Sequence, residues 1–269
     1  MSVNPIILES PSAPQAAGSG VWERLWRHRL APERDDEVIR REARGRRWRR
    51  IEATLNETFG RIEGLRTLEL GAGRGDLSLL LAARGAKVTV LDRSPGALKR
   101  ARERFERWDL PAEYVRGDLF DAVNPGGSGY DVVLSLGVVE HFRGADRKAA
   151  IRAHRLVLRP GGMAVICVPH AACPPYRMWK AYLELRGRWP YGLEIPYSKR
   201  EMARLAKASG FSLWRLTCDG FLQSAGDHLL RRFLKHRPGW VDSPCFLDNA
   251  LGGALTLLAW TANAAAGTN

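Results

Sequence analysis

The sequence predicts an α/β protein of Rossmann-like type, built around a mainly parallel sheet, and three observations carry that prediction. From Arg66 onward, short apolar runs alternate with amphipathic stretches, the pattern of repeated βαβ units. A strand-like run, Leu68-Glu69-Leu70, enters a glycine turn at Gly71-Ala72-Gly73-Arg74-Gly75, and a helix-forming stretch opens at Asp76. The next strand of that unit ends on an acid, Asp92, at the sheet edge where open α/β sheets bind their ligands.

Taken in order, residues 1–20 are rich in Pro, Ser, Ala and Gly, lack the basic-then-apolar order of an export signal, and read as a flexible leader. Residues 21–64 read as a helical arm. Asp35 and Asp36 are placed to cap a helix whose later part sets Trp48, Ile51, Leu55 and Phe59 at helical spacing, closed by Gly60 and Gly64. The domain proper is expected over 65–269. It begins with a strand at Thr67–Leu70, a helix at Asp76–Ala83 stopped by Gly85, and a strand at Lys87–Leu91. A second helix starts at Pro95, a good first-turn residue, and aligns Leu98, Ala101, Phe105 and Trp108 on one face. A short strand at Ala112–Arg116, a Gly-rich turn at Pro125–Gly129 and an apolar strand at Tyr130–Leu136 follow. Next come a helix at Asp146–Leu158, a Pro160-Gly161-Gly162 turn and a strand at Met163–Val168. Ser198 and Glu201 form a capping box for a helix that runs to Ser209 and stops at Gly210. Strands at Phe211–Thr217 and Gly253–Trp260 complete the pattern.

Two stretches break the alternation. Residues 171–197 carry Tyr176, Trp179, Tyr182, Trp189, Tyr191 and Tyr197; residues 219–250 carry His228, Arg231, Arg232, His236 and Trp240. Insertions of this length in an α/β domain read as lids over a ligand or as partner contacts.

Composition narrows the class. With 42 Lys and Arg against 29 Asp and Glu, the formal charge is +13, which attracts anions without choosing among nucleic acid, acidic lipid and anionic small molecules. The basic runs at Arg40–Arg50 and Arg93–Arg107 alternate with apolar positions and read mainly as solvated helix faces. Cys167, Cys173, Cys218 and Cys245 form no CxxC pair, which fits reduced thiols in a cytoplasm. The apolar stretch Ala250–Gly267 is short and built from small residues, so no transmembrane span is expected. His28, His154, His228 and His236 have no ligand-like spacing, and no metal site is expected.

Gly71, Gly73 and Gly75 let a ligand approach the backbone with no Cβ in the way. A nicotinamide-binding G-x-G-x-x-G turn would need a glycine where Asp76 stands, and no G-x-x-x-x-G-K-S/T run marks a P-loop here. Asp92 is placed to accept hydrogen bonds from both hydroxyls of a ribose. Turn and acid together point to an adenosine-type ligand.

The ordered segments LELGAGRG, LDRSPGAL, GDLFD, DVVLSLGVVEHF and LRPGGMAVICVP resemble the class I S-adenosylmethionine-dependent methyltransferase family. The resemblance covers Arg66 to Val168 and, more weakly, the last two strands. It implies a seven-stranded sheet of order 3-2-1-4-5-7-6 with the last strand antiparallel, and S-adenosylmethionine as cofactor. It further implies Glu69 and Gly71 near the methionine portion, Gly73 and Gly75 at close approach, Asp92 on the ribose, and Asp118 with Leu119 at the adenine. Backbone at Ser135, Leu136 and Gly137 would meet the amino group, and Ala72 and Arg93 complete the cofactor set. Arg74 departs from the small hydroxyl residue usual at its place.

Methyl transfer from a sulfonium is an in-line displacement that needs positioning and exclusion of water rather than a metal. His141, directly after the fourth strand, is the leading candidate base, with His170 second. Tyr176, Trp179 and Tyr197 are the candidate substrate contacts, suited to stacking on a planar or cationic molecule. A small-molecule acceptor, anionic or aromatic, is the leading reading. Nucleic-acid methylation is its rival, motivated by the charge but lacking the Asn/Asp-Pro-Pro-aromatic turn after strand four. A non-catalytic cofactor-binding protein in peripheral contact with a membrane surface is the third reading.

Overall fold

The computed structural model describes residues 22, 32–120, 129–230 and 238–263. The leader, most of 21–31, the turn residues 125–128, and Arg231, Arg232 and His236 of the second insertion lie outside the described residues, as does the end of the apolar stretch at 264–267.

Seven strands form one sheet: β1 (Arg66–Leu70), β2 (Lys87–Asp92), β3 (Glu113–Arg116), β4 (Tyr130–Leu136), β5 (Leu158–Pro169), β6 (Leu213–Asp219) and β7 (Ala254–Trp260). Their order is β3-β2-β1-β4-β5-β7-β6, as the resemblance implied. The first five pair in parallel, and β7 runs antiparallel to both β5 and β6. Central strands are buried on both faces, which is why they read as nearly continuous apolar runs. Leu68, Leu70, Val133, Ala164 and Ile166 face one core with α5 (Gly144–Val157) and α7 (Lys199–Ala208). Val88, Val90, Leu134, Met163 and Val165 face the other, with α3 (Asp76–Ala82) and α4 (Pro95–Arg107).

From Pro32 onward the N-terminal arm is a structural layer of that second core, and 32–59 form two helices, not one. Helices α1 (Pro32–Arg44) and α2 (Arg46–Phe59) meet at Gly45, where a Cβ would lie 3.0 Å from the Glu42 carbonyl oxygen. Ile39, Trp48, Ile51 and Leu55 are buried against the sheet. Asp35 and Asp36 therefore do not cap a helix; they lie within α1 and reach α4. Arg104 Nε donates to Asp35 at 2.8 Å, Arg107 donates to both acids, and Trp108 Nε1 donates to Asp36 at 3.1 Å. Burial opposes the charge on Asp35, but Arg104 and Arg107 outweigh it and hold the carboxyl below the usual range. The arginines of the arm are likewise not simply solvated: Arg50 pairs with Asp219 and Arg46 with Asp248.

Other boundaries shift for local reasons. The Pro160-Gly161-Gly162 turn is a bulge inside β5: Leu158 pairs with Tyr130, but Met163 already pairs with Val132. Strand β6 begins two residues later than expected, at Leu213. Ser198 Oγ accepts from the Glu201 backbone N–H at 3.2 Å, the first half of the expected capping box. The 171–197 insertion holds α6 (Pro174–Leu185); the 219–250 insertion holds the short helices α8 (Phe221–Ala225) and α9 (Asp248–Leu251). No helix among the described residues is long and apolar enough to cross a membrane.

Candidate active site

A cavity of about 220 Å³ opens at the carboxyl ends of β1, β2 and β4. Its floor is the glycine turn. Gly71, Gly73 and Gly75 all adopt positive φ. A Cβ on Gly71 would lie 2.8 Å from Val138 Cγ2, so glycine is required there by both backbone and space. Gly71, Ala72 and Gly73 line the cavity; Gly75 does not, and its bare Cα instead lets the Phe105 ring pack at 3.3 Å from where a Cβ would stand.

Asp92 ties the turn to β2. One carboxylate oxygen accepts from the Gly73 N–H at 2.9 Å and the other from the Ser94 N–H at 2.8 Å, while the group still faces the cavity. Beyond it, Leu91, Arg93, Gly117, Asp118 and Leu119 form a narrow, partly apolar slot, with Asp118 Oδ1 accepting from Phe120 N at 3.1 Å. Glu69 lies beneath the turn and accepts from Ser78 N at 3.2 Å. Burial is the main reason its carboxyl is pushed up to about 8; the Ser78 bond opposes the shift and Asp76 and Asp92 add to it.

On the β4 side Leu136 and Gly137 line the cavity, but the Ser135 side chain turns to the other face, where its Oγ bonds His154 Nε2 at 2.8 Å. His141 lines the cavity too. Its Nδ1 bonds the Leu193 carbonyl, and the ring also has a backbone hydrogen bond at Gly137. Burial lowers its pKa, so the ring is neutral near pH 7. The Trp22 ring packs edge-on at 4.8 Å. His170 is buried elsewhere, with Nδ1 on the Gly252 carbonyl at 3.1 Å, and lines neither this cavity nor the next.

A second cavity, about 310 Å³, shares Leu136 and Gly137 with the first. Its walls are Tyr176, Trp179, Trp189, Tyr191 and His228, with Glu140 and Glu194 among them. Trp179 stacks on His228 with ring centroids 4.3 Å apart. Of the three expected substrate contacts, Tyr176 and Trp179 are in this wall. Tyr197 is not: it is fully buried, its hydroxyl donates to the Val139 carbonyl at 3.0 Å, and the Arg147 guanidinium covers its ring. Sequence reasoning passed over Glu140, Glu194, Trp189 and Tyr191 as site residues. Glu140 alone had a local signal, its place beside His141 after β4.

These features place a cavity at the switch point of a sheet with the class I methyltransferase strand order. Residues 67–162 match the family described as "Methyltransferase domain". Among curated proteins, the ubiquinone biosynthesis O-methyltransferase of Methylobacterium nodulans is 36% identical over 120 residues, 42% of this chain and 47% of that protein. The enzyme of the same name from Cereibacter sphaeroides is 39% identical over 104 residues, 39% of this chain and 41% of its own. The chain thus matches somewhat under half the length of these curated relatives. Among solved structures, magnesium protoporphyrin IX methyltransferase from Synechocystis PCC 6803 with bound SAH aligns over 90% of this chain and 93% of its own, with 18% identity and a TM-score of 0.57. Over residues 67–162 the chain is thus similar to methyltransferase domains, and its strand order is that of the class I methyltransferase fold.

Proposed function

We propose that the protein transfers a methyl group from S-adenosylmethionine to a small organic molecule held in the second cavity. The observation that carries this reading is the meeting of the two cavities at Leu136 and Gly137, one suited to a nucleoside and one walled by aromatic rings.

The residues present fit the cofactor. Gly71 and Gly73 allow a ligand against bare backbone, Asp92 offers two oxygens to a ribose, and the Leu91–Leu119 slot suits a flat base. Glu69 is a buried acid with no cation of its own among the described residues, in keeping with a ligand that brings positive charge. When bound, S-adenosylmethionine supplies a methyl group activated on a sulfonium. The chain's part is to align the acceptor at the Gly137 junction, exclude water with α6 and the 186–197 segment, and receive a proton where the acceptor must lose one. His141, neutral and lining the first cavity, supports that last role better than His170, which lines neither cavity. We assign the catalytic domain to 65–269 and the arm, over its described part, to the support of the sheet. Four free thiols favour a cytoplasmic setting.

The test is calorimetric titration with S-adenosylmethionine and S-adenosylhomocysteine, with NADH as control, on the wild type and Asp92→Ala. Binding of the first two alone, weakened about 30-fold or more in the variant, is the expected result. Unchanged affinity in Asp92→Ala refutes the ribose assignment, and no binding by the wild type refutes the cofactor.

A further inference from the structure

The wall of the second cavity carries two acids, Glu140 and Glu194, that make no salt bridge among the described residues. Glu140 is 2% exposed, and its Oε2 has no hydrogen-bond partner. Its Oε1 lies 3.5 Å from where a Cβ on Gly137 would stand, so the carboxyl sits at the glycine both cavities share. Glu194 faces it and accepts from the Tyr176 hydroxyl. Glu140, His141 and Glu194 each bring a ligand atom to within 4.8 Å of the others. Among the described residues neither glutamate is in a salt bridge. The nearby cations make their salt bridges elsewhere, Arg47 with Glu42, Lys180 with Glu184 and Arg147 with Glu201, and act on the pair only at longer range: Arg147 on Glu140, and Lys180, whose Nζ stands 4.6 Å over the Trp189 ring, on Glu194. Burial raises both carboxyls, Glu140 to about 8, against the opposing pull of Arg147 on Glu140 and of Tyr176 and Lys180 on Glu194.

Around this pair stand ring faces and edges. Trp189 is 5.1 Å from Trp179 and 5.3 Å from Tyr191, centroid to centroid, both in edge contact. An organic cation is attracted to ring quadrupoles and, being weakly hydrated, loses little on leaving water. A small divalent metal ion gives up a tightly held water shell and gains nothing from indole walls. Trp189 Nε1 is also buried without a partner, a donor left for an acceptor atom elsewhere on the same ligand.

Building on the methyltransferase reading, we infer that the acceptor is a small amine, its basic nitrogen held by Glu140 and Glu194 within the aromatic wall and itself the atom methylated. The ammonium gives one proton to the Glu140 carboxylate. Its freed lone pair then forms the N–C bond to the methyl carbon as the C–S bond breaks, the sulfur keeps that electron pair, and the proton passes on to solvent.

The test uses two shape-matched probes, choline and its uncharged carbon analogue 3,3-dimethylbutan-1-ol, titrated in the presence of S-adenosylhomocysteine and followed by tryptophan fluorescence. Choline is expected to bind at least tenfold more tightly. Glu140→Gln and Glu194→Gln should each reduce that preference about tenfold, leaving affinity for the alcohol and for S-adenosylhomocysteine within about twofold. Equal affinity for the two probes, no choline binding, or a preference indifferent to both variants overturns the inference. So does Glu140-dependent binding of Mg²⁺, Mn²⁺ or Zn²⁺ that displaces choline. Failure of S-adenosylhomocysteine to bind would instead sink the underlying methyltransferase reading.

Discussion

Cofactor binding is expected to expel a proton from Glu69. The carboxyl is almost wholly buried, and its pKa of about 8 leaves roughly 97% of it protonated at pH 6.5. A sulfonium and an ammonium brought into the adjoining cavity attract only the charged form and so drive the proton off. Binding at pH 6.5 then releases about one proton. The cofactor's own amino group, with an ordinary pKa of roughly 7.7–8.0, stays protonated and does not mask the effect. Affinity rises about tenfold per pH unit up to about pH 8 and levels off above it, because only below that pH must a proton be displaced. The assay is calorimetry at pH 6.5 in buffers of different ionisation enthalpy, where the slope of apparent binding enthalpy counts protons. Wild type should release about one more proton than Glu69→Gln; equal slopes refute the reasoning. The same shift has a consequence for the ligand-free fold. The folded pKa exceeds the ordinary 4.5, so the folded state holds the proton more tightly and stability declines as pH rises from about 4.5 to 8. The decline attributable to this group is roughly 5 kcal/mol, at about 1.36 kcal/mol per unit, and Glu69→Gln should remove it.

Two further substitutions probe the scaffold around the site. Arg104→Ala removes a buried guanidinium that joins Asp35 of α1 to Asp76 of α3, leaving the half-buried Arg74 as their shared partner and Arg107 on Asp35; a loss of about 1–3 kcal/mol in urea unfolding is expected, with new protease cleavage in 32–59, and an unchanged midpoint would refute the bridge. Gly71→Ala sets a methyl 2.8 Å from Val138 Cγ2 at a φ of 63°, so S-adenosylhomocysteine affinity and about 1–3 kcal/mol of stability should be lost; adding Val138→Ala should recover the packing part but not the backbone part, and full recovery would show that φ costs nothing there.

What the sequence made legible follows from how far apart the determining residues lie. The sheet could be read because strands buried on both faces are short apolar runs, and the glycine turn because its three positive-φ residues are local requirements. Asp35 and Asp36 look like caps in sequence because short acids before an apolar pattern usually are; here a partner 69 to 72 residues away, with no local signature, claims them instead. The second cavity was illegible for the same reason. Glu140 and Glu194 are brought together because the segment after α6 folds back along the end of β4, where Ile195 N–H donates to the Glu140 carbonyl at 2.9 Å. The aromatic richness of 171–197 could signal a lid, but not which rings face the ligand: Tyr197, as conspicuous in sequence as Tyr176, is consumed by packing under Arg147. Ser135 shows the limit even within a motif, since strand alternation turns its side chain to His154 while its neighbours Leu136 and Gly137 border the cavity. Motifs therefore located the first cavity, whose floor and one wall come from a single βαβ unit, whereas the second cavity is a constellation that only tertiary folding assembles. Substitutions in the motif should accordingly change whether the protein binds its cofactor, and substitutions at Glu140, Glu194 and Trp189 should change what it methylates.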